Sequence, residues 1–168
     1  MKDTLAYTFQ TVWKKIDDAL CREIIAFWTI ENALLNDVVP EKRARQVAVV
    51  MRDDHGCIGA VCTVKLELNA QLRQPMYYYR TYCAEKHRRH NTAVPMMRAA
   101  QQCLREYNLG LECPEAIGIL LEVESPYVNK RYPTAFWPQT RFGFIGYSAR
   151  GLPERAHYFD GFDLLPQA

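Results

Sequence analysis

The chain is short of the features that would place it outside the class of ordinary globular proteins. No apolar run approaches the ~18 residues needed to span a bilayer, so no membrane-crossing helix is expected. The opening Met1-Lys2-Asp3-Thr4-Leu5 lacks the basic-then-apolar layout of a signal peptide, which predicts a cytoplasmic protein. A formal net charge of +2 is too small to draw bulk nucleic acid or a membrane surface. The six cysteines, Cys21, Cys57, Cys62, Cys83, Cys103 and Cys113, form no C-x-x-C and pair with no histidine at metal-ligand spacing. Reduced, mostly buried thiols are therefore expected, with no metal. Without an internal repeat, a low-complexity segment or a shift in composition, residues 1–168 are expected to form a single domain.

What is present suits a packed core, since 49% of the residues are hydrophobic and 24% charged. Leu5 to Val12 has strand character, and Asp17 or Asp18 can cap a helix running to about Leu35, with Leu20, Ile24, Phe27, Trp28, Leu34 and Leu35 at helical spacing. Pro40 and Glu41-Lys42-Arg43-Ala44-Arg45 read as a solvated connection. Gln46 to Arg52 and Cys57 to Leu68 form a hairpin around Asp53-Asp54-His55-Gly56. Met76 to Ala84 is a further strand, whose three tyrosines are read as packing residues.

Val94 to Tyr107 is a helix with Pro95 tolerated in its first turn, stopped by Asn108-Leu109-Gly110. Ala116 to Val123 is an apolar run typical of a strand buried on both faces. Pro133 and Pro138 make Tyr127 to Gln139 a broken helix or an ordered loop. Arg141 to Ser148 and Arg155 to Phe159 complete the strands.

Between the tyrosine-rich strand and the second long helix lies Arg88-Arg89-His90-Asn91-Thr92-Ala93. A basic turn at a helix start is suited to phosphate, because free backbone N–H groups and the positive end of the helix dipole both face outward there.

The order of elements resembles the GCN5-related N-acetyltransferase (GNAT) fold over nearly the whole chain. That implies an α/β (α+β) architecture, a mixed central sheet of about seven strands, splayed between strands four and five and flanked by helices. In that family the turn after the fourth strand carries Gln/Arg-x-x-Gly-x-Gly/Ala around the pyrophosphate of an acyl-coenzyme A. Arg88, Asn91 and Ala93 fall on its patterned positions. Asn91 departs from glycine, though asparagine readily takes positive φ. Gly143-Phe144 resembles the pair that opens the sixth strand, and Glu122-Val123-Glu124 with Asn129 resembles the fifth strand and the asparagine that touches the coenzyme.

The resemblance implies transfer of an acetyl or other short acyl group from acyl-CoA to a primary amine, by direct attack in a ternary complex. The backbone of Tyr82, Cys83 and Ala84 would then meet the pantetheine, and Arg88, Arg89, His90, Asn91, Thr92, Ala93 and Asn129 would bind the coenzyme. The two-residue period of a strand puts Glu122 and Glu124 on one face, where mutual repulsion and partial burial would favour a general base. The alternative is a pair of ordinary carboxylates, solvated or bonded to Arg131 or Arg141. The family's usual tyrosine acid is not clearly placed, and Tyr132 is the nearby candidate.

The acceptor amine is left open among a small molecule, a protein and a modified nucleotide. No membrane partner is expected, and the resemblance allows a homodimer. A different class is a non-catalytic module of the same fold that holds acyl-CoA or nucleic acid without turnover. A third reading makes the aromatic strand with Arg80, Arg88 and Arg89 a platform for single-stranded nucleic acid.

Overall fold

A computed structural model describes residues 6–167, so the beginning of the first predicted strand at Leu5, like the Met1–Leu5 leader reading, lies outside the described residues. The elements run β1 (Thr8–Thr11), α1 (Asp18–Ile30), α2 (Pro40–Ala44), β2 (Val47–Arg52), β3 (Ile58–Asn69) and β4 (Gln74–Cys83). A 3-10 turn (Glu85–His87), α3 (Ala93–Leu109), β5 (Gly118–Glu122), α4 (Pro126–Arg131), β6 (Phe136–Trp137), β7 (Phe142–Tyr147) and β8 (Pro153–Tyr158) follow. The strands form one mixed sheet in the order β1-β2-β3-β4-β5-β8-β7-β6. Its parallel pair, β4 with β5, is registered through Tyr77 opposite Ile119 and Tyr78 opposite Leu120.

The expected sheet of about seven strands therefore has eight. The addition is β6, two residues between Pro133 and Pro138 that pair Phe136 with Gly143 and Trp137 with Phe142. The segment predicted as a broken helix or an ordered loop is a short helix that stops before Pro133, and what the prediction lacked is the strand that follows. Ser125 Oγ accepts from the Val128 N–H at 3.3 Å and Pro126 occupies the first turn, where its missing N–H costs nothing.

Helix α1 starts where expected, with the Asp17 carboxylate accepting from Leu20 N–H at 2.8 Å. It ends at Ile30 rather than near Leu35, because Asn32 turns to φ +51° and Ala33 N–H closes back on the Trp28 carbonyl. Leu35 is consequently 65% exposed. The predicted solvated connection contains α2, whose Pro40 sits at the helix start and whose Ala44 is fully buried.

The chain divides into two compact units, one comprising Met1–Val64 with Arg80–Leu104 and the other Lys65–Tyr79 with Arg105–Ala168. In the first, Ile24, Phe27 and Trp28 of α1 pack with Val47 and Val50 of β2, Val61 of β3 and Ala84. In the second, Met76 of β4, Leu120 of β5 and Ala156 of β8 pack with Ile117. Tyr77 and Tyr79 are buried, as packing residues should be. All six cysteines are free, but only Cys21 and Cys62 are buried. The expectation of mostly buried thiols fails because Cys57 follows the β2–β3 turn and Cys113 lies in the loop before β5, where loops run on the surface.

Candidate functional site

In the first unit, the end of β4 and the basic turn carry the groups expected to hold a coenzyme. Ala84 N–H donates to the Gly59 carbonyl of β3 at 2.8 Å. Successive residues of a strand point their N–H and C=O to opposite sides, so those of Cys83 face away from β3. The Cys83 carbonyl accepts from Arg88 Nε at 3.0 Å, and the Arg88 guanidinium lies 5.7 Å from the centre of the Tyr82 ring. The Tyr82 hydroxyl reaches back to the Glu31 carbonyl at 3.3 Å. Thus Arg88 is bound to the strand end while the residue itself stays exposed.

The turn that follows takes an unusual backbone path. Arg89 has φ +68° and Asn91 φ +56°, both in the left-handed region that glycine enters without penalty. Asn91 thus takes the positive φ that asparagine, among few residues other than glycine, readily adopts. Arg88, Arg89, His90, Asn91 and Ala93 are exposed and Thr92 is half-buried. The Thr92 carbonyl accepts from Met96 N–H at 3.1 Å, which starts α3. Pro95 has no N–H, so the unsatisfied donors of the first helical turn come from Ala93 and Val94. Three basic side chains, two left-handed residues and a helix start suit a diphosphate-bearing ligand.

Cys83 is not poised as a nucleophile. Burial pushes its thiol pKa up, against the opposing pull of the Thr92 hydroxyl and the Arg88 guanidinium.

In the second unit, Glu122 at the end of β5 and Glu124 beyond it do fall on one face. They share a partner that sequence reasoning missed. Arg150 Nη2 donates to Glu122 Oε2 at 2.9 Å and to Glu124 Oε1 at 2.7 Å, while its Nε donates to Glu122 Oε2 at 3.2 Å. The expected partners, Arg131 and Arg141, are engaged elsewhere: Arg131 over the Tyr132 ring and Arg141 with Asp160. A tight turn delivers Arg150, in which Ser148 N–H donates to the Leu152 carbonyl and Gly151 N–H to the Ser148 carbonyl, both at 2.9 Å. Only that closure could have signalled the pairing, and Gly151 with Pro153 was its trace in the sequence. The guanidinium offsets the repulsion on which the base assignment relied. The Glu122 side chain is 17% exposed and that of Glu124 53%.

Asn129 is committed to structure, its Nδ2 donating to the Val123 carbonyl at 3.1 Å and tying α4 to the strand end. Tyr132 closes α4 and is 47% exposed. Its carbonyl accepts from Trp137 Nε1 at 3.1 Å and from Arg155 Nη2 at 3.5 Å. Arg155 itself is buried beneath the Trp137 ring at 4.0 Å.

Among the described residues, no group of three or more His, Cys, Asp or Glu could hold a metal ion, and no helix is long and apolar enough to cross a membrane.

Neither a protein-family model nor a curated protein sequence matches the chain. Solved structures do. A GNAT-family acetyltransferase from Streptococcus pneumoniae is 10% identical, with a TM-score of 0.56 over 91% of this chain and 99% of that one. A second, from Listeria monocytogenes 4b F2365, is 12% identical, with a TM-score of 0.53 over 92% and 95%. A mutant of the toxin AtaT, bound to the C-terminus of the antitoxin AtaR and acetyl-CoA, is 10% identical, with a TM-score of 0.52 over 93% and 94%. With the mixed eight-stranded sheet and its parallel β4–β5 pair, these likenesses identify the chain's fold as that of the GCN5-related N-acetyltransferases.

Proposed function

We propose that the chain is an acyl-CoA-dependent N-acyltransferase that moves an acetyl or other short acyl group to a primary amine by direct attack. The observation that carries this reading is the left-handed Asn91 at the head of α3, within a turn that also presents Arg88, Arg89 and His90. Acyl-CoA supplies an activated thioester. Arg88, Arg89 and His90, together with the first N–H groups of α3, would hold its pyrophosphate. Of the three strand residues expected to meet the pantetheine, Cys83 is favoured, because the Ala84 N–H is already bonded to Gly59. The Cys83 N–H would then stabilise developing charge on the acyl oxygen.

Acid–base work is assigned to the second unit. Glu122, the less exposed of the two carboxylates, would accept the proton of the attacking amine, Glu124 would assist, and Tyr132 would return a proton to the departing thiolate. Asn129 acts through the strand end it braces. A cationic amine suits a site with two carboxylates, whether the acceptor is a small molecule, a protein or a modified nucleotide.

The two clusters are tested separately. Acetyl-CoA titration should show saturable binding and thermal stabilisation, lost in Arg88→Glu and Asn91→Pro. Thiol release with a panel of amines should then depend on Glu122. Binding without release to any amine would support the second reading, a non-catalytic acyl-CoA module, which Arg150 favours by occupying both carboxylates.

A further inference from the structure

Behind the Arg88–Ala93 turn lies a chain of side chains with no part in the roles assigned above. Asp53 is 5% exposed and His87 3%. Asp53 Oδ1 accepts the backbone N–H groups of His55 at 3.1 Å and Cys57 at 2.9 Å, which closes the β2–β3 turn. Its Oδ2 faces Lys86 Nζ at 3.4 Å and His87 Nε2 at 3.5 Å. On the other side of the imidazole, the Tyr7 hydroxyl lies 3.1 Å from Nδ1. The Tyr7 ring meets His87 edge-on at 5.5 Å and His90 at 6.2 Å. Gly59 leaves room for this, since a Cβ there would lie 2.7 Å from His87 Cδ2.

The geometry dictates the tautomer. His87 Nε2 is buried and makes no hydrogen bond, yet it lies 3.5 Å from an ionised carboxylate that only accepts, so the proton of a neutral His87 belongs on Nε2, facing Asp53. Nδ1 is then an acceptor and the Tyr7 hydroxyl donates to it. Each group has one direction to give, and together they join the residue before β1, the β2–β3 turn and the 3-10 turn that leads into Arg88.

We propose that Asp53, His87 and Tyr7 are positioning residues for the pyrophosphate turn, and that they hold its left-handed path only while His87 is neutral. The proposal rests on the cofactor reading above. Protonated His87 would be a donor at both nitrogens, so Tyr7 would have to reverse its hydrogen bond. The charged and titratable groups facing the ring are Asp53, Lys86, His90 and Tyr7. Burial lowers the His87 pKa, Lys86 and His90 lower it further, and Asp53 opposes them without restoring the ordinary value. The arrangement is therefore intact at neutral pH, and acidification through the lowered His87 value forces the Tyr7 contact to reverse.

The test compares full-length wild type, Tyr7→Phe and Asp53→Asn by acetyl-CoA titration at a series of pH values from pH 8 downward, and by hydrogen–deuterium exchange of residues 85–92 without ligand. Tyr7→Phe removes one hydroxyl from a half-buried ring, so it should fold if Asp53→Asn does not. At pH 8 Tyr7→Phe should bind about two- to tenfold more weakly, the scale of one lost hydrogen bond, Asp53→Asn should bind more weakly as well, and both should exchange faster in the turn. Wild type should lose affinity once the pH falls through the lowered His87 value, and Tyr7→Phe should lose less. Unchanged exchange and unchanged affinity in Tyr7→Phe would overturn the proposal. If wild type takes up no acetyl-CoA, the cofactor reading falls by itself. The exchange data still decide whether the three residues hold the turn.

Discussion

Glu122 and Arg150 are joined by two hydrogen bonds to a single oxygen, Nε and Nη2 both meeting Oε2, and Nη2 extends the contact to Glu124. The pair of acids is thus an acid–base–acid cluster. If Glu122 is the base, Glu122→Gln should lower turnover by about two to four orders of magnitude while leaving acetyl-CoA affinity within twofold. Glu124→Gln should cost less, because its side chain is the more exposed. Thiol release measured beside a binding titration separates the two effects. Equal losses from both variants in binding and turnover would end the base assignment.

Asn91 is the next point of leverage. Asn91→Gly keeps the left-handed conformation without a Cβ and should preserve acetyl-CoA binding. Asn91→Val should cost about 1–2 kcal/mol in the turn and weaken binding by roughly tenfold or more. Titration of the three proteins decides it, and equal affinities would show that φ at this position is irrelevant to the ligand.

Two glycines are required by space. A Cβ on Gly118 of β5 would meet the His157 backbone carbonyl of β8, which cannot swing away. Gly118→Ala should therefore destabilise by about 3 kcal/mol or more, whereas Gly59→Ala, which meets the His87 ring and the mobile end of Met51, should cost about 1–3 kcal/mol. Urea unfolding ranks them.

Acid should weaken the fold before its carboxylates titrate. His87 and His157 are both buried, and burial is the leading cause of the lowered pKa of each. A lowered histidine pKa means that the unfolded chain takes up the proton first, so stability falls as pH drops below the ordinary histidine value of about 6.5 and levels off below the folded values. Asp53 acts lower still. Burial raises its pKa, but the Cys57 and His55 N–H groups and Lys86 outweigh burial and hold it below the usual carboxylate range. Its contribution is lost as pH falls through that folded value. The urea midpoint should be lower at pH 5.5 than at pH 7.5, and His87→Asn should reduce the difference.

Asn108 is fully buried, its Nδ2 donating to the Ala116 carbonyl at 2.6 Å and its Oδ1 accepting from Glu115 N–H at 2.7 Å. Asn108→Ala should cost about 2–3 kcal/mol by leaving two backbone groups without partners. Denaturant midpoints check this, and a change under 0.5 kcal/mol would mean that water replaces the side chain.

Local pattern carried much of the fold. The Asp17 cap, the spacing of Leu20, Ile24, Phe27 and Trp28, and the apolar run through Ile119 and Leu120 are properties of neighbouring residues, and each led to the element observed. The end of α1 was not legible, because Leu34 and Leu35 continue the helical spacing while Asn32 leaves it. Nor was β6, since a two-residue strand exists only through its pairing with β7.

For the candidate site, sequence alone determined the composition of the basic turn and the two-residue spacing of Glu122 and Glu124, because both depend only on residues adjacent in the chain. Tertiary structure decided which residue met them. Arg150 stands 26 residues beyond Glu124, and His87 stands 34 beyond Asp53. Periodicity reaches over one turn or one strand; contacts across such separations are set by strand register and loop closure, and these exist only once the chain has folded.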